Sequence, residues 1–429
     1  MKYKRIDKDL FINNRKKLIK EIDKMSVVIF NSNDVMPTNS DGTMPFIQNS
    51  DLFWLSGIDQ EESVLLLFPD NPDEKMREIL FLKETNDHIA IWEGSKLNKE
   101  DAYNISGIST VFWLDEMENI LAEIFILSKS LYLNNNIHTR SSSLVQTRDD
   151  RFKLMINNNY SDLKIKEVAP IMHDLRSIKS NLEVNLIQTA CNITEKGFRR
   201  ILPLIKPGIM EYEIEAELSY EFIRNRSSRF AYQPIIASGR NSCVLHYIEN
   251  NKKCIDGDIL LMDFGAEYAN YASDLTRTIP VNGRFNNRQK AVYNSVLHVM
   301  IEATKMLRPG TLIKDYNKEV GYIMESELIK LGLLDMHDVK NQDSAQPLYK
   351  KYFMHGTSHF LGLDVHDVGR LESQICEGMV FTCEPGIYIL EEELGIRLEN
   401  DILVTSDGPY DLMRNIPIEI EEIEELMNS

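Results

Sequence analysis

The chain has 429 residues, 43% of them hydrophobic and 27% charged, an ordinary globular composition with room for two domains. A net charge of −18 argues against a nucleic-acid backbone as partner, because phosphate binding needs a basic surface, and it raises the local supply of divalent cations. No run approaches the roughly eighteen apolar residues of a membrane span, the N-terminus MKYKRIDKD lacks the apolar segment of a secretory signal, and the five cysteines form no C-x-x-C pair, so a reduced, cytoplasmic protein is expected.

The first half alternates short apolar runs with helical patterns. Strands are predicted at Val27 to Phe30, Val64 to Phe68, Ile79 to Leu82, Ile89 to Trp92 and Val111 to Leu114, and helices at about Met117 to Ser128 and Arg151 to Asn157. This is an α/β pattern without a phosphate loop or a G-x-G-x-x-G. Pro170 marks a break, after which a long helical stretch runs to about Leu202. The expected division is an N-terminal α/β domain over 1–172 and a second domain over 173–429.

The second half contains an internal repeat. A helix, Lys206-Pro207-Gly208 and a second helix (about Tyr212 to Arg224) form one unit. Gln289 to Leu307, Arg308-Pro309-Gly310 and Ile313 to Leu331 form the other. Further on, Asp256 to Gly265 aligns with Glu377 to Gly386, so that Gly257 precedes Asp263 and Gly378 precedes Glu384 by the same six residues. Each copy continues to a second acid on an expected return strand, Asp274 and Glu399. An acid in a buried strand is costly unless a cation holds it. Two such pairs, folded face to face, bring four carboxylates to one centre.

Three of the nine histidines, His355, His359 and His366, fall in one short stretch between the acids, and His246 sits near the corresponding place in the first copy. A lone histidine on an apolar segment is usually a satisfied core residue; three beside paired acids point to a metal site. Oxygen ligands with a single imidazole suit Mn2+, Fe2+, Co2+ or Zn2+ in a two-metal site better than a structural zinc. Two such ions roughly 3.5–4 Å apart can hold a bridging hydroxide whose attack is hydrolytic. Histidines not used as ligands are then free to stabilise an oxyanion or deliver a proton.

The stretches DFGAEYANYASDLTRT, MHGTSHFLGLDVHDVG, TCEPGIY and GIRLEND resemble the metal motifs of the pita-bread metallopeptidases, with Xaa-Pro aminopeptidases (aminopeptidase P) the closest likeness. Gln48 to Gly57 is similar to that subfamily's N-terminal domain, and Leu175 to Lys179 to its interdomain segment. The resemblance implies a mixed-sheet α/β domain followed by a curved antiparallel sheet covered by pseudo-twofold helices. It implies a cytoplasmic metallopeptidase that releases the first residue from peptides with proline in second place. Its cofactors would be two divalent ions, Mn2+ before Zn2+, Co2+ or Fe2+. By the same likeness Asp263 holds one ion, His359 and Glu384 the other, and Asp274 and Glu399 bridge them. Glu384 also shuttles a proton. His246 and His366 face the scissile carbonyl and the proline pocket, and His355, Tyr388 and Arg397 line or brace the site. Trp92 matches an N-domain aromatic that reaches towards the active site, often across a subunit interface, in keeping with a homodimer or homotetramer.

Two readings compete with this one. A prolidase uses the same metals on Xaa-Pro dipeptides alone. A non-catalytic binding module of the same fold is disfavoured because all five ligand positions are filled. The interval from Glu384 to Glu399 is short for the family, as is that from His366 to Glu384, and both border the expected cleft.

Overall fold

The computed structural model describes residues 2–138, 140–141 and 143–429. They form two compact units, Tyr3–Arg176 and Ser177–Ser429. The boundary expected after residue 172 falls inside the helix Ala169–Ser177. Pro170 does not interrupt that helix. It sits in the first turn, where the missing N–H is not needed.

The N-terminal unit is built on a six-stranded sheet. Its strands are β1 (Ser26–Asn31), β2 (Val64–Leu67), β3 (Glu78–Leu82), β4 (Thr110–Trp113), β5 (Ser130–Leu133) and β6 (Lys164–Glu167), in the order β4-β3-β2-β1-β5-β6. The sheet is mixed: β1 pairs antiparallel with β2 but parallel with β5. Alternation along the strands sends Val27, Ile29, Leu66, Ile79 and Phe81 into one core with Leu121, Ile124 and Ile156 of the helices Met117–Leu127 and Arg148–Asn159.

Ile89 to Trp92 is not a strand. It lies in the helix Asp87–Glu93, whose N-cap Asn86 accepts a hydrogen bond from the N–H of Ile89. Four apolar residues are too short a run for periodicity to separate strand from helix. The flanking Asn86 and Gly94 supply cap and stop, and Trp92 is 79% exposed.

The second unit carries the repeat. In the first copy, β7 (Ile235–Ser238), β8 (Ile259–Phe264) and β11 (Leu275–Pro280) form an antiparallel sheet ordered β11-β8-β7, with a small hairpin of β9 (Glu267–Tyr268) and β10 (Tyr271–Ala272) looped out between β8 and β11. In the second copy, β12 (Val380–Cys383), β15 (Asn400–Thr405) and β16 (Gly408–Asp411) form an antiparallel sheet ordered β12-β15-β16, in which β12 and β15 match β8 and β11 while the third strand adds on the opposite side. There the looped-out hairpin is β13 (Gly386–Ile389) with β14 (Leu394–Arg397). The helix pairs Asn181–Ile201 with Glu211–Arg224, and Asn287–Met306 with Ile313–Lys330, pack in matching fashion. The repeat extends to backbone conformation. Gly208 and Gly310 have φ of +101° and +90°, and Gly257 and Gly378 have +89° and +87°. Glycine reaches this left-handed region without the Cβ penalty, which explains the matched spacing in the sequence.

The copies are zipped together at β11. Glu399 N–H donates to the carbonyl of Thr276 (3.1 Å), and the hydroxyl of Thr278 accepts from the N–H of Arg397 (3.2 Å). At the tip of the first acid pair, a Cβ on Gly265 would lie 1.7 Å from the carbonyl oxygen of Ser273. Only glycine allows that approach, and it draws Asp274 in towards Asp263.

Candidate metal centre

The strand register places the acids. Asp263 is opposite Thr276, so Asp274 lies two residues further along β11's approach, diagonal to Asp263 rather than directly across from it. In the second copy Cys383 pairs with Asn400, and one further step brings Glu384 opposite Glu399. One oxygen each from Asp274 and Glu399 and one ring nitrogen of His359 lie within 4.8 Å of one another. His359 Nε2 is 3.5 Å from both Asp274 Oδ2 and Glu384 Oε1. Its Nδ1 is held by the carbonyl of Phe360 at 2.9 Å, which fixes the ring and turns Nε2 to the acids.

Asp263 is held from two sides. Arg397 Nη2 donates to Oδ2 at 2.5 Å, and the hydroxyl of Tyr232 donates to Oδ1 at 2.5 Å while also contacting Asp274. Arg397 is buried, and its Nη1 donates to the hydroxyl of Tyr388 (2.8 Å). That hydroxyl meets His355 Nε2 at 2.8 Å, and His355 Nδ1 meets the carbonyl of Gly356 at 2.8 Å. Burial, then the Arg397 charge, push the His355 pKa down to about 3. A neutral ring with its hydrogen on Nδ1 satisfies every contact in this chain.

Four carboxylates therefore gather beside the Arg397 guanidinium. Burial raises Glu399 well above the carboxylate range, reinforced by Asp274 and Glu384. Burial likewise lifts Glu384 to about 7, against the pull of His359. Burial alone would lower His359, but Asp274 and Glu384 outweigh it and raise the ring to about 9. Glu399 Oε2 accepts from Thr276 Oγ1 at 2.6 Å, whereas its Oε1 is buried with no hydrogen-bond partner. An orphaned carboxylate oxygen beside an imidazole nitrogen and three further acids is a donor set for hard or borderline divalent cations.

The exposed imidazole of His366 stands edge-on to His359, with ring centroids 4.5 Å apart. The next residue, Asp367, ion-pairs with Lys179 at 3.0 Å, both side chains being 1% exposed. His246 is exposed in the turn after the short helix Gly239–Cys243, close enough to His355 to bear on its charge. In the C-terminal unit, contacts join Asp263, Asp274, His355, His359, His366, Glu384, Tyr388 and Arg397, with Glu399 beside Asp274 and His359, and His246 lies in the turn after Gly239–Cys243. Trp92 belongs to the N-terminal unit.

Comparison with known proteins gives the family. Residues 185–406 match the model of metallopeptidase family M24, and residues 11–132 that of the aminopeptidase P N-terminal domain. The chain is 35% identical to the Xaa-Pro aminopeptidase of Haemophilus influenzae, covering 99% of this chain and 98% of the relative. Among solved structures it resembles Pseudomonas aeruginosa aminopeptidase PepP (31% identity, 99% and 98% of the two chains, TM-score 0.90). It also resembles zinc-substituted Escherichia coli aminopeptidase P in complex with product (32%, 99% of each chain, TM-score 0.87). The chain belongs to metallopeptidase family M24. The M24 unit has the pita-bread fold, and the family implies divalent metal ions, which the donor set above fits.

Sequence reasoning missed three contributors to the M24 centre. Tyr232 joins the two acids of the first copy. Thr276 holds Glu399. Asp401, fully buried, accepts from the backbone N–H of Asp274 at 3.0 Å and from Cys191 Sγ at 3.4 Å. Thr276 and Asp401 were marked only by lying two residues beyond an acid. Tyr232 carried no signal.

Proposed function

We propose that the chain is a dinuclear Xaa-Pro aminopeptidase that removes the N-terminal residue from peptides with proline in second position. The observation that carries this reading is the convergence of Asp274, His359 and Glu399 within 4.8 Å, flanked by Asp263 and Glu384 and overlooked by the exposed ring of His366. Asp263 would hold one ion, His359 and Glu384 the other, with Asp274 and Glu399 shared; manganese is the first choice. Bound there, two divalent ions supply the Lewis acidity that lowers the pKa of water from ~15.7 towards ~7.

The protein's own groups do the rest. Glu384 presents Oε2 towards His355 Nδ1 at 4.0 Å and carries the proton from the attacking water to the leaving amine. The exposed imidazoles of His246 and His366 face the scissile carbonyl and the proline ring. The Arg397–Tyr388–His355 chain sets a guanidinium against Asp263 and fixes the His355 ring. Trp92 closes the substrate pocket of a neighbouring subunit in a cytoplasmic homodimer or homotetramer.

The test is an assay of metal-loaded protein on an Xaa-Pro dipeptide and on the same dipeptide extended by several residues. The extended peptides should be preferred. Preference for the dipeptide would replace this reading with a prolidase.

A further inference from the structure

The helix Glu211–Arg224 opens on a carboxylate with no solvent exposure, and that carboxylate does not serve its own helix. The N-terminal capping contact belongs to Glu213, whose side chain accepts from the N–H of Met210 at 2.7 Å. Glu211 instead takes four hydrogen bonds from one loop. Oε1 accepts from the N–H of Ser238 (2.9 Å) and from its hydroxyl (2.6 Å). Oε2 accepts from the hydroxyl of Tyr247 (2.8 Å) and from the N–H of Lys252 (2.9 Å). Ser238 ends β7 where the loop begins, and Lys252 lies in its later half, before β8 begins at Ile259. The segment from Ser238 to Lys252, with His246 inside it, is therefore gathered onto a single side chain.

The residue before Tyr247 is His246. Its ring is exposed, whereas Tyr247 is 4% exposed and packs in a small core with Ile235, Ala237, Leu261 and Tyr388. Leu261 is two residues before Asp263, and Tyr388 bonds both His355 and Arg397. Tyr247 thus links the loop to the metal centre through packing, and to Glu211 through its hydroxyl. We propose that Glu211, acting through Tyr247, is a positioning residue that fixes the His246 imidazole for the reaction. A loop pinned at one end only would let that ring wander, and a misplacement of about 1 Å can cost on the order of a hundredfold in rate. Neither Glu211 nor Tyr247 hydrogen-bonds to any of the five candidate metal ligands, so metal binding should be untouched.

This inference rests on the reading of His246 as a substrate-facing group, and the experiment separates the two. Tyr247→Phe removes one hydroxyl and leaves the packing. Glu211→Gln keeps an acceptor for Ser238 but presents an amide to Lys252 N–H. Steady-state kinetics on an extended Xaa-Pro peptide, metal content and thermal unfolding are measured for both, for His246→Ala, and for each combined with His246→Ala. Tyr247→Phe should lower kcat/KM by about ten- to a hundredfold with metal content unchanged. In the His246→Ala background the same change should cost almost nothing further, because the two act as one unit. An equal loss in both backgrounds, or wild-type kinetics for Tyr247→Phe beside an impaired His246→Ala, would overturn the anchor alone. Wild-type kinetics for His246→Ala would overturn the reading of the histidine and the anchor with it.

Discussion

The hydroxyl of Tyr232 lies 2.5 Å from Asp263 Oδ1 and also touches Asp274, so one phenol hydrogen stands between the two acids of the first copy. Burial, then the charges of Asp263 and Asp274, hold that phenol well above its ordinary pKa, and it stays a donor. Removing it leaves the acids without their shared partner while the cation-binding oxygens remain. Tyr232→Phe is expected to weaken metal binding by about 10- to 100-fold, the usual cost of losing a group that orients a ligand. Calorimetric metal titration checks this; an unchanged Kd would contradict it. At saturating metal most of kcat should return.

Arg397 spans Asp263, Tyr388 and Thr276. Arg397→Met leaves the half-buried Asp263 carboxylate without its cation. The metal-stripped protein should lose about 3–5 kcal/mol of stability in a denaturant titration, the range for breaking a buried ion pair from one side. The metal-loaded protein should lose less, because the ions stand in for the missing charge. A loss below about 1 kcal/mol in the stripped protein would mean that the pair contributes little.

Glu384 follows β12 at the edge of the centre, where its side chain is 20% exposed, so truncating it should not unfold the protein. Glu384→Ala is expected to cut kcat by at least about 10²–10⁴-fold, the size of a lost proton shuttle, with an unchanged circular dichroism spectrum. Retained turnover of a Gly-Pro tripeptide would remove Glu384 from the mechanism.

The centre also sets a pH signature. In the stripped protein Glu384 is raised from 4.5 to about 7 and His359 from 6.5 to about 9. Both shifts are upward, so the stability they contribute is present below the ordinary values and fades as pH rises through about 7 and then about 9. Metal binding runs the other way, since a ligand must give up its proton first. The gap in melting temperature between loaded and stripped protein should therefore be wider at pH 8.5 than at pH 5.5. Calorimetry that finds a constant or narrowing gap would contradict this.

The paired acids were legible because an acid after Ile259-Leu260-Leu261-Met262 is anomalous in itself, and because the same anomaly recurs at Glu384 with a glycine at the same distance before it. The diagonal offset of Asp274 from Asp263 was not legible. It depends on the close approach at Gly265 and on the register of β8 with β11, neither of which shows in residue type. Glu211 was overlooked for a related reason. An acid in the first turn of a helix is commonplace on surfaces, and only packing shows that this one is buried and turned to a loop. Ile89 to Trp92 went wrong through brevity, and its caps Asn86 and Gly94 were the better guide.

The zipping of Glu399 onto Thr276 has a kinetic consequence. The proposed ligands run from Asp263 to Glu399, and no single copy of the repeat holds a complete set. Each half can form its own sheet and helix pair from nearby residues, whereas the centre needs partners far apart in sequence. Contacts of that kind are slow to form, because a long loop must close first. On refolding, helical signal should return well before the capacity to bind metal, and added metal should stabilise the finished protein without hastening its early collapse.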